Sequence, residues 1–176
     1  MMTTKLAPHR IRHWPQEQVK VLVVVDSREQ QPWDLSPMRT ETTTLATGDY
    51  SSACGRYLLE RKNGIDELIS CMTSGRERFE RELKRMQAFE SAIVLVESAY
   101  EDLATGQHRS RMNRDSALAT LVAWQQCCQI PFQFCGSRAE AERFAQSYFH
   151  QQFKAHLAEL LEVQRTLAAD GQELSL

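Results

Sequence analysis

The sequence predicts a three-layer α/β/α sandwich built on a mixed central sheet, and three observations carry that reading. Val21-Leu22-Val23-Val24-Val25 is an unbroken apolar run rich in β-branched residues, the pattern of a strand covered on both faces. Ala92 to Val96 repeats the pattern. Between and after these runs, apolar residues recur at helical spacing, so the chain reads β-β-β-α-α-β-α-β-α, which folds most simply as a sheet held between helices.

Composition sets the bounds. With 176 residues, 42% of them apolar and 25% charged, the chain has the make-up of one globular domain that buries its own core. A formal net charge of -2 excludes a surface coated in basic residues, so contact with nucleic acid has to come from local clusters. The five cysteines are odd in number and include the adjacent Cys127 and Cys128, with no CxxC pair and no histidine at zinc spacing. Neither a disulfide framework nor a structural zinc site is indicated, and a reducing cytoplasm is the expected setting. Lys5, Arg10 and Arg12 precede no apolar stretch of signal length, and no window approaches the roughly 18 apolar residues that span a bilayer, so no membrane partner is expected.

The elements follow in order. Residues 1–18 carry two prolines and several basic residues without periodicity and read as a flexible arm. Residues 19–151 form the main domain and 152–176 a helical extension of it. After the first strand, Gln30 to Pro37 reads as a loop, and the threonine-rich Arg39 to Ala46 as a more exposed strand. Gly48, Ser51-Ser52 and Gly55 break any helical period, so Gly48 to Asp66 reads as hairpin-like, with Arg56 to Arg61 as a strand. Asp66 to Met72 is a short helix; Ser74 to Gln87 is a second, with Phe79, Leu83 and Met86 on one stripe. After the strand at Ala92, Glu97 to Arg114 reads as a long loop. Asn113 caps a helix from Ser116 to Cys128, Pro131 to Cys135 is the last strand, and Ser137 with Glu140 forms a capping box for a helix running to about Ala169.

The stretch GDYSSACGRYLLERKNGID, from Gly48 to Asp66, holds the chemistry. A strand ending in Asp26, a turn placing Asp49 and a strand ending in Glu60-Arg61-Lys62 bring three carboxylates to one edge of the sheet. Clustered hard oxygens suit Mg2+ or Mn2+, which retain waters and share a phosphate with the protein. Phosphodiester hydrolysis uses such an ion to polarise the phosphoryl group, activate water and stabilise the leaving oxygen. In a strand, residues i and i+2 share a face, so Lys62 stands beside Glu60, where an ammonium can orient the water or offset phosphate charge.

Val-Val-Asp26-Ser-Arg28-Glu29, Gly48-Asp49-Tyr50, Glu60-Arg61-Lys62 with Asp66 three residues on, and Ser74-Gly75-Arg76 together resemble the nuclease domain of the XPF-type structure-specific endonucleases. The family is marked by V-D-x-R-E and G-D-x(n)-E-R-K-x(3)-D, and both motifs are complete and in order here. The resemblance implies a restriction-endonuclease-like fold that cuts one strand of branched DNA, such as a flap or fork, with Mg2+ or Mn2+. It implies Asp49 and Glu60 as metal ligands with Asp26 as a supporting acid, and Lys62 as the water-positioning base or electrostatic stabiliser. Glu29, Arg28, Arg61 and Asp66 occupy motif positions, the two arginines at phosphates and Asp66 orienting a neighbour or opening its helix. Arg76 matches a family arginine facing DNA.

No tandem helix-hairpin-helix pattern follows the motifs, which leaves the exact branched substrate open and leaves room for a separate DNA-targeting partner, and so compact a form suits a prokaryotic or phage-encoded enzyme. His108, Arg109, Arg111 and Arg114 make a local basic patch fit for phosphates. The arginines of Ser74 to Gln87 other than Arg76 read as a solvated face, with pairs such as Glu77 with Arg81 and Glu80 with Lys84. The family resemblance, with the apolar residues of the last two helices, leads us to expect a homodimer. Two other functions fit the same text: a junction resolvase of the same fold, and a non-catalytic DNA-binding or scaffold subunit of a nuclease complex.

Overall fold

The computed structural model describes residues 21–169, so the arm at 1–18 and the final residues of the extension lie outside the described residues. Six strands form one sheet: β1 (Leu22–Asp26), β2 (Arg39–Thr43), β3 (Tyr50–Ser52), β4 (Tyr57–Lys62), β5 (Ser91–Val96) and β6 (Phe132–Phe134). Their order is β2-β1-β3-β4-β5-β6. β1 runs parallel to β2 but antiparallel to β3, β3 antiparallel to β4, and β4, β5 and β6 are parallel. The helices are α1 (Ile65–Met72), α2 (Arg76–Met86), α3 (Tyr100–Thr105), α4 (Arg114–Cys128) and α5 (Arg138–Ala169). None of the described helices is long and apolar enough to cross a membrane.

Each face of the sheet has its own core. On one, Leu58, Val94 and Val96 pack with Ile69, Phe79, Leu83, Met86, Leu121 and Trp124 of α1, α2 and α4. On the other, Val23, Val25, Leu59, Ile93 and Leu95 pack with Trp33, Leu35 and Ala141, Ala145 and Phe149 of α5. The expected sandwich is therefore present, with one qualification for β1. Val23 and Val25 are buried, whereas Leu22 and Val24 stay half-exposed, because the α1/α2/α4 layer covers β4 and β5 and stops short of β1.

Several expectations are corrected. The hairpin partner of β4 is the three-residue β3, whose Ser51-Ser52 lacks the apolar signature of a strand but is buried. The threonine-rich strand ends at Thr43 and lies at the sheet edge, fully exposed, where polar β-branched residues keep an open edge from recruiting another chain. The segment from Glu97 to Arg114 is not a continuous loop. It contains α3, whose Leu103 is buried and whose start is fixed by Asp102 accepting from the Ala99 N–H (3.1 Å). At Ser137 only half of the capping box forms: the hydroxyl accepts from Glu140 N–H (3.2 Å), while the Glu140 carboxylate turns to Arg143. Helix α5 runs unbroken from Arg138 to Ala169, the span expected of the last helix. Asn113 caps α4 as its sequence implies, accepting from the N–H groups of Asp115 (2.8 Å) and Ser116.

Phe79 is the joint of the first core. Its ring meets Trp124 edge-on at 5.1 Å and Phe132 at 6.3 Å, and it is all but inaccessible to solvent. Truncating Phe79 to alanine should cost about 3–5 kcal/mol in urea unfolding, whereas Lys84→Ala on the exposed side of α2 should stay within about 0.5 kcal/mol.

Candidate active site

Glycine is required at position 48. Its φ of +73° is left-handed, and a Cβ there would lie 2.7 Å from Leu58 Cγ. This turn delivers Asp49 to the end of β3, where its own N–H donates to Leu59 O (3.0 Å) and its Oδ2 accepts from the Arg61 N–H (2.7 Å). In β4 the pleat then sorts the motif. Leu58, Glu60 and Lys62 face α1 and α2, while Leu59 and Arg61 face the α5 layer.

The two faces carry different tasks. Arg61 is buried; its Nε donates to Glu97 Oε1 (2.8 Å) and its Nη1 to Glu29 Oε1 (2.9 Å) and to Gln31 O (3.1 Å). Its guanidinium lies over the Trp33 ring at 5.6 Å, Trp33 Nε1–H also donates to Glu97 (2.6 Å), and Trp33 stacks on Tyr50 at 4.8 Å. Arg61 thus ties β4, β5 and the loop after β1 into one unit. Among the described residues its Nη2 is buried without a hydrogen-bond partner.

On the opposite face Lys62 and Glu60, both buried, form a close ion pair, and the ammonium also lies 3.7 Å from Glu67 and 4.6 Å from the centre of the Phe79 ring. Burial pushes the Glu60 carboxyl well above the usual range, Lys62 only partly opposing it and the nearby Asp49 and Glu82 adding to it. Burial works most strongly on Lys62, against its charge, but Glu60, Cys71 and Glu67 together outweigh it and the ammonium is held more firmly than normal. Burial likewise pushes Asp49 up to about 6, against the hydrogen bond from Arg61 N–H and the pull of Lys62. Two carboxylates therefore stand side by side, both reluctant to ionise without another cation.

Asp26 has the opposite character. Arg28 grips it through Nε (2.8 Å) and Nη2 (2.9 Å), and the N–H groups of Arg28 and Leu45 add a bond each (2.7 Å). Chiefly through the Arg28 side chain, its carboxyl is held down at about 2. Each oxygen already accepts two hydrogen bonds, and among the described residues no three His, Cys, Asp or Glu side chains form a set able to hold a metal ion.

A cleft of about 520 Å3 opens over this arrangement, lined by Asp26, Arg28, Glu29, Asp49, Glu60, Arg61 and Lys62. Of the sequence candidates, Asp66, Arg76, Arg109, Arg111 and Arg114 do not line it. Asp66 opens α1 and accepts from Arg109 through both its N–H (2.8 Å) and its Nε (2.7 Å), pinning the segment before α4 to the start of α1. Arg76 pairs with Glu80 (2.9 Å), Arg114 lies 3.5 Å from Asp115, and Arg111 is exposed. Sequence reasoning missed Arg78, Glu82 and Arg85, which line the cleft from α2. Their signal was available: they repeat the i, i+4, i+7 spacing of Phe79, Leu83 and Met86, displaced by one residue. Glu82 also reaches Thr47 Oγ1 (3.4 Å), the residue before Gly48.

Comparison with known proteins fits this geometry. The fold matches XPF from Aeropyrum pernix with a TM-score of 0.60 and 21% identity, over 78% of this chain and 61% of that one. XPF from Aeropyrum pernix in complex with DNA matches with a TM-score of 0.60 and 20% identity, over 80% of this chain and 66% of that one. The chain thus spans somewhat under two thirds of the length of these solved structures. No curated protein matches it. The ERCC4 domain model matches residues 25–148, from the end of β1 into α5 and across every cleft residue named above, and the chain belongs to the ERCC4 domain family.

Proposed function

We propose that this protein is a divalent-metal-dependent endodeoxyribonuclease acting on branched DNA. The observation that carries the reading is the pairing of Asp49 and Glu60 in one cleft with Lys62 beside them, in a family of nucleases. Magnesium needs only one or two protein carboxylates, water and substrate phosphate completing its shell, so a two-carboxylate site suits it. The raised pKa values are the signature of that fit, since a bound cation supplies the charge that burial withholds.

Asp49 and Glu60 would hold Mg2+ or Mn2+, which when bound polarises the phosphate and acidifies water. The hydrogen bonds of the site leave Asp49 Oδ1 and Glu60 Oε2 for this task among the described residues. Lys62, kept charged and anchored over Phe79, orients the attacking water or stabilises charge growing on the phosphate oxygens. Asp26 acts in this scheme by locking Arg28 at the rim rather than by ligation, because its oxygens are already taken. Arg61 positions both sides: its N–H holds Asp49 and its side chain braces the loop carrying Glu29.

We also propose a homodimer through α4 and α5, where Val122, Leu160 and Val163 leave large apolar side chains about half-exposed. Sedimentation at micromolar concentration should give twice the chain mass, and a monomer there rejects the dimer.

The primary test is cleavage of end-labelled flap, fork, four-way and plain duplex DNA in Mg2+ or Mn2+. Branch-selective cutting is expected, falling at least about 100-fold in Lys62→Ala while DNA affinity stays within a few-fold. Preference for symmetric cuts on four-way DNA would instead favour a junction resolvase, and binding without cutting a non-catalytic subunit.

A second test reads the metal site without turnover. Native Asp49 keeps its proton up to about pH 6, whereas the unfolded chain loses it near 3.8, so the metal-free protein loses stability as pH rises through that window. Asp49→Asn removes this loss and should stabilise the metal-free protein at pH 8 by about 1–2 kcal/mol. In the wild type, Mg2+ should raise the melting temperature more at pH 8 than at pH 5, and in Asp49→Asn that increment should vanish. An undiminished increment would remove Asp49 from the metal site.

A further inference from the structure

The α2 sequence RERFERELKRM carries two interleaved rows. Phe79, Leu83 and Met86 are buried in the core, and Arg78, Glu82 and Arg85, each one residue earlier, line the cleft. The helix sorts its arginines by row. Arg76 pairs with Glu80 at 2.9 Å and Arg81 lies 4.0 Å from Glu77, both on the same helix, whereas among the described residues neither Arg78 nor Arg85 has a carboxylate within salt-bridge distance. Both are exposed, and among the described residues neither donates a hydrogen bond to a buried group. Seven residues of helix set them about 10 Å apart along the axis, with Glu82 between them.

This is a wall with a cation at each end and a carboxylate in the middle, next to Asp49 and Glu60. Fold stability does not call for two unpaired guanidinium groups on the cleft row while the arginines off it, Arg76 and Arg81, are paired. A polyanion threading the cleft does: its backbone would meet Arg78 and Arg85 on either side of the point where the acidic residues converge. Guanidinium groups suit phosphate because their planar donor fork matches its oxygens. We infer that Arg78 and Arg85 are phosphate-holding residues that seat the DNA strand on both flanks of the bond to be cut. This rests on the endonuclease reading and adds to it two positioning residues that lie outside the acidic motifs.

The test is equilibrium binding of fluorescently labelled flap DNA and of single-stranded DNA by the full chain in EDTA, where cleavage is silent, between about 50 and 200 mM salt. Each lost phosphate contact lowers the slope of log K against log salt by about 0.7 on a single strand and 0.9 on duplex. Arg78→Ala/Arg85→Ala should therefore lower the slope by about 1.4 to 1.8, Arg78→Lys/Arg85→Lys should retain it, and Arg81→Ala should match the wild type. Should the double alanine variant melt below the wild type, the two single variants each lowering the slope by half carry the same result. Wild-type binding with an unchanged slope in the alanine variants overturns the inference and leaves the nuclease reading intact. A wild type that neither binds nor cuts DNA overturns that reading, and this inference with it.

Discussion

The site depends on the pleat of β4. Successive side chains of a strand point to opposite faces, so the run Leu58 to Lys62 sends Glu60 and Lys62 toward α1 and α2 and Arg61 toward Trp33 and Glu97. The strand's position follows from its partners. Antiparallel pairing with β3 sets Asp49 beside Arg61, and parallel pairing with β5 runs to Lys62 opposite Val96, just before Glu97. A slip of one residue would exchange the two faces, putting the guanidinium among the carboxylates and the ammonium beneath Trp33. The hydrophobic register on both sides, Leu58 in one core and Leu59 in the other, guards against it.

Charge burial shapes the neighbourhood. Apart from Thr120, the buried polar residues of the described chain are Asp26, Thr47, Ser51, Ser52, Glu60, Arg61 and Lys62, all in or beside β1, β3 and β4. Ion pairs buried in this way add little net stability, because desolvation offsets most of their attraction, yet removing one partner strands the other. Asp26 with Arg28, and Arg61 with Glu29 and Glu97, are compensated pairs that act as bracing. Glu60, which Lys62 offsets only in part, and Asp49 are the incompletely compensated ones. A protein keeps such groups where a ligand completes the balance, and here they sit together at the floor of the cleft.

Much of this was legible in the chain. The β-branched runs located β1 and β5 and Asn113 announced the start of α4, because strand alternation and capping are local rules, while the family resemblance of the combined motifs singled out Asp49, Glu60 and Lys62, which line one cleft. What escaped was decided by tertiary context. Ser51-Ser52 is strand because β1 and β4 enclose it, a condition invisible in a serine pair. Asp26 resembles Asp49 in sequence, but only folding shows that Arg28 and Leu45 saturate it. The cleft row of α2 was hidden by abundance: a helix crowded with arginines offers many pairings, and only the position of the helix over β4 selects which of them face the site.

The 32-residue α5 covers the sheet face that Glu60 and Lys62 do not use. Arg56, in the turn before β4, is bound to its outer half through Glu159 (2.8 Å) and His156, and Tyr148 donates to Ser91 O (3.0 Å) of β5. The far end of the helix, with Leu160 and Val163 open to solvent, therefore stands on the reverse side of the domain from the cleft. Substitutions on the outer face of α5 therefore reach solvent without passing through the residues that line the cleft, so the two surfaces of this domain can be altered one at a time.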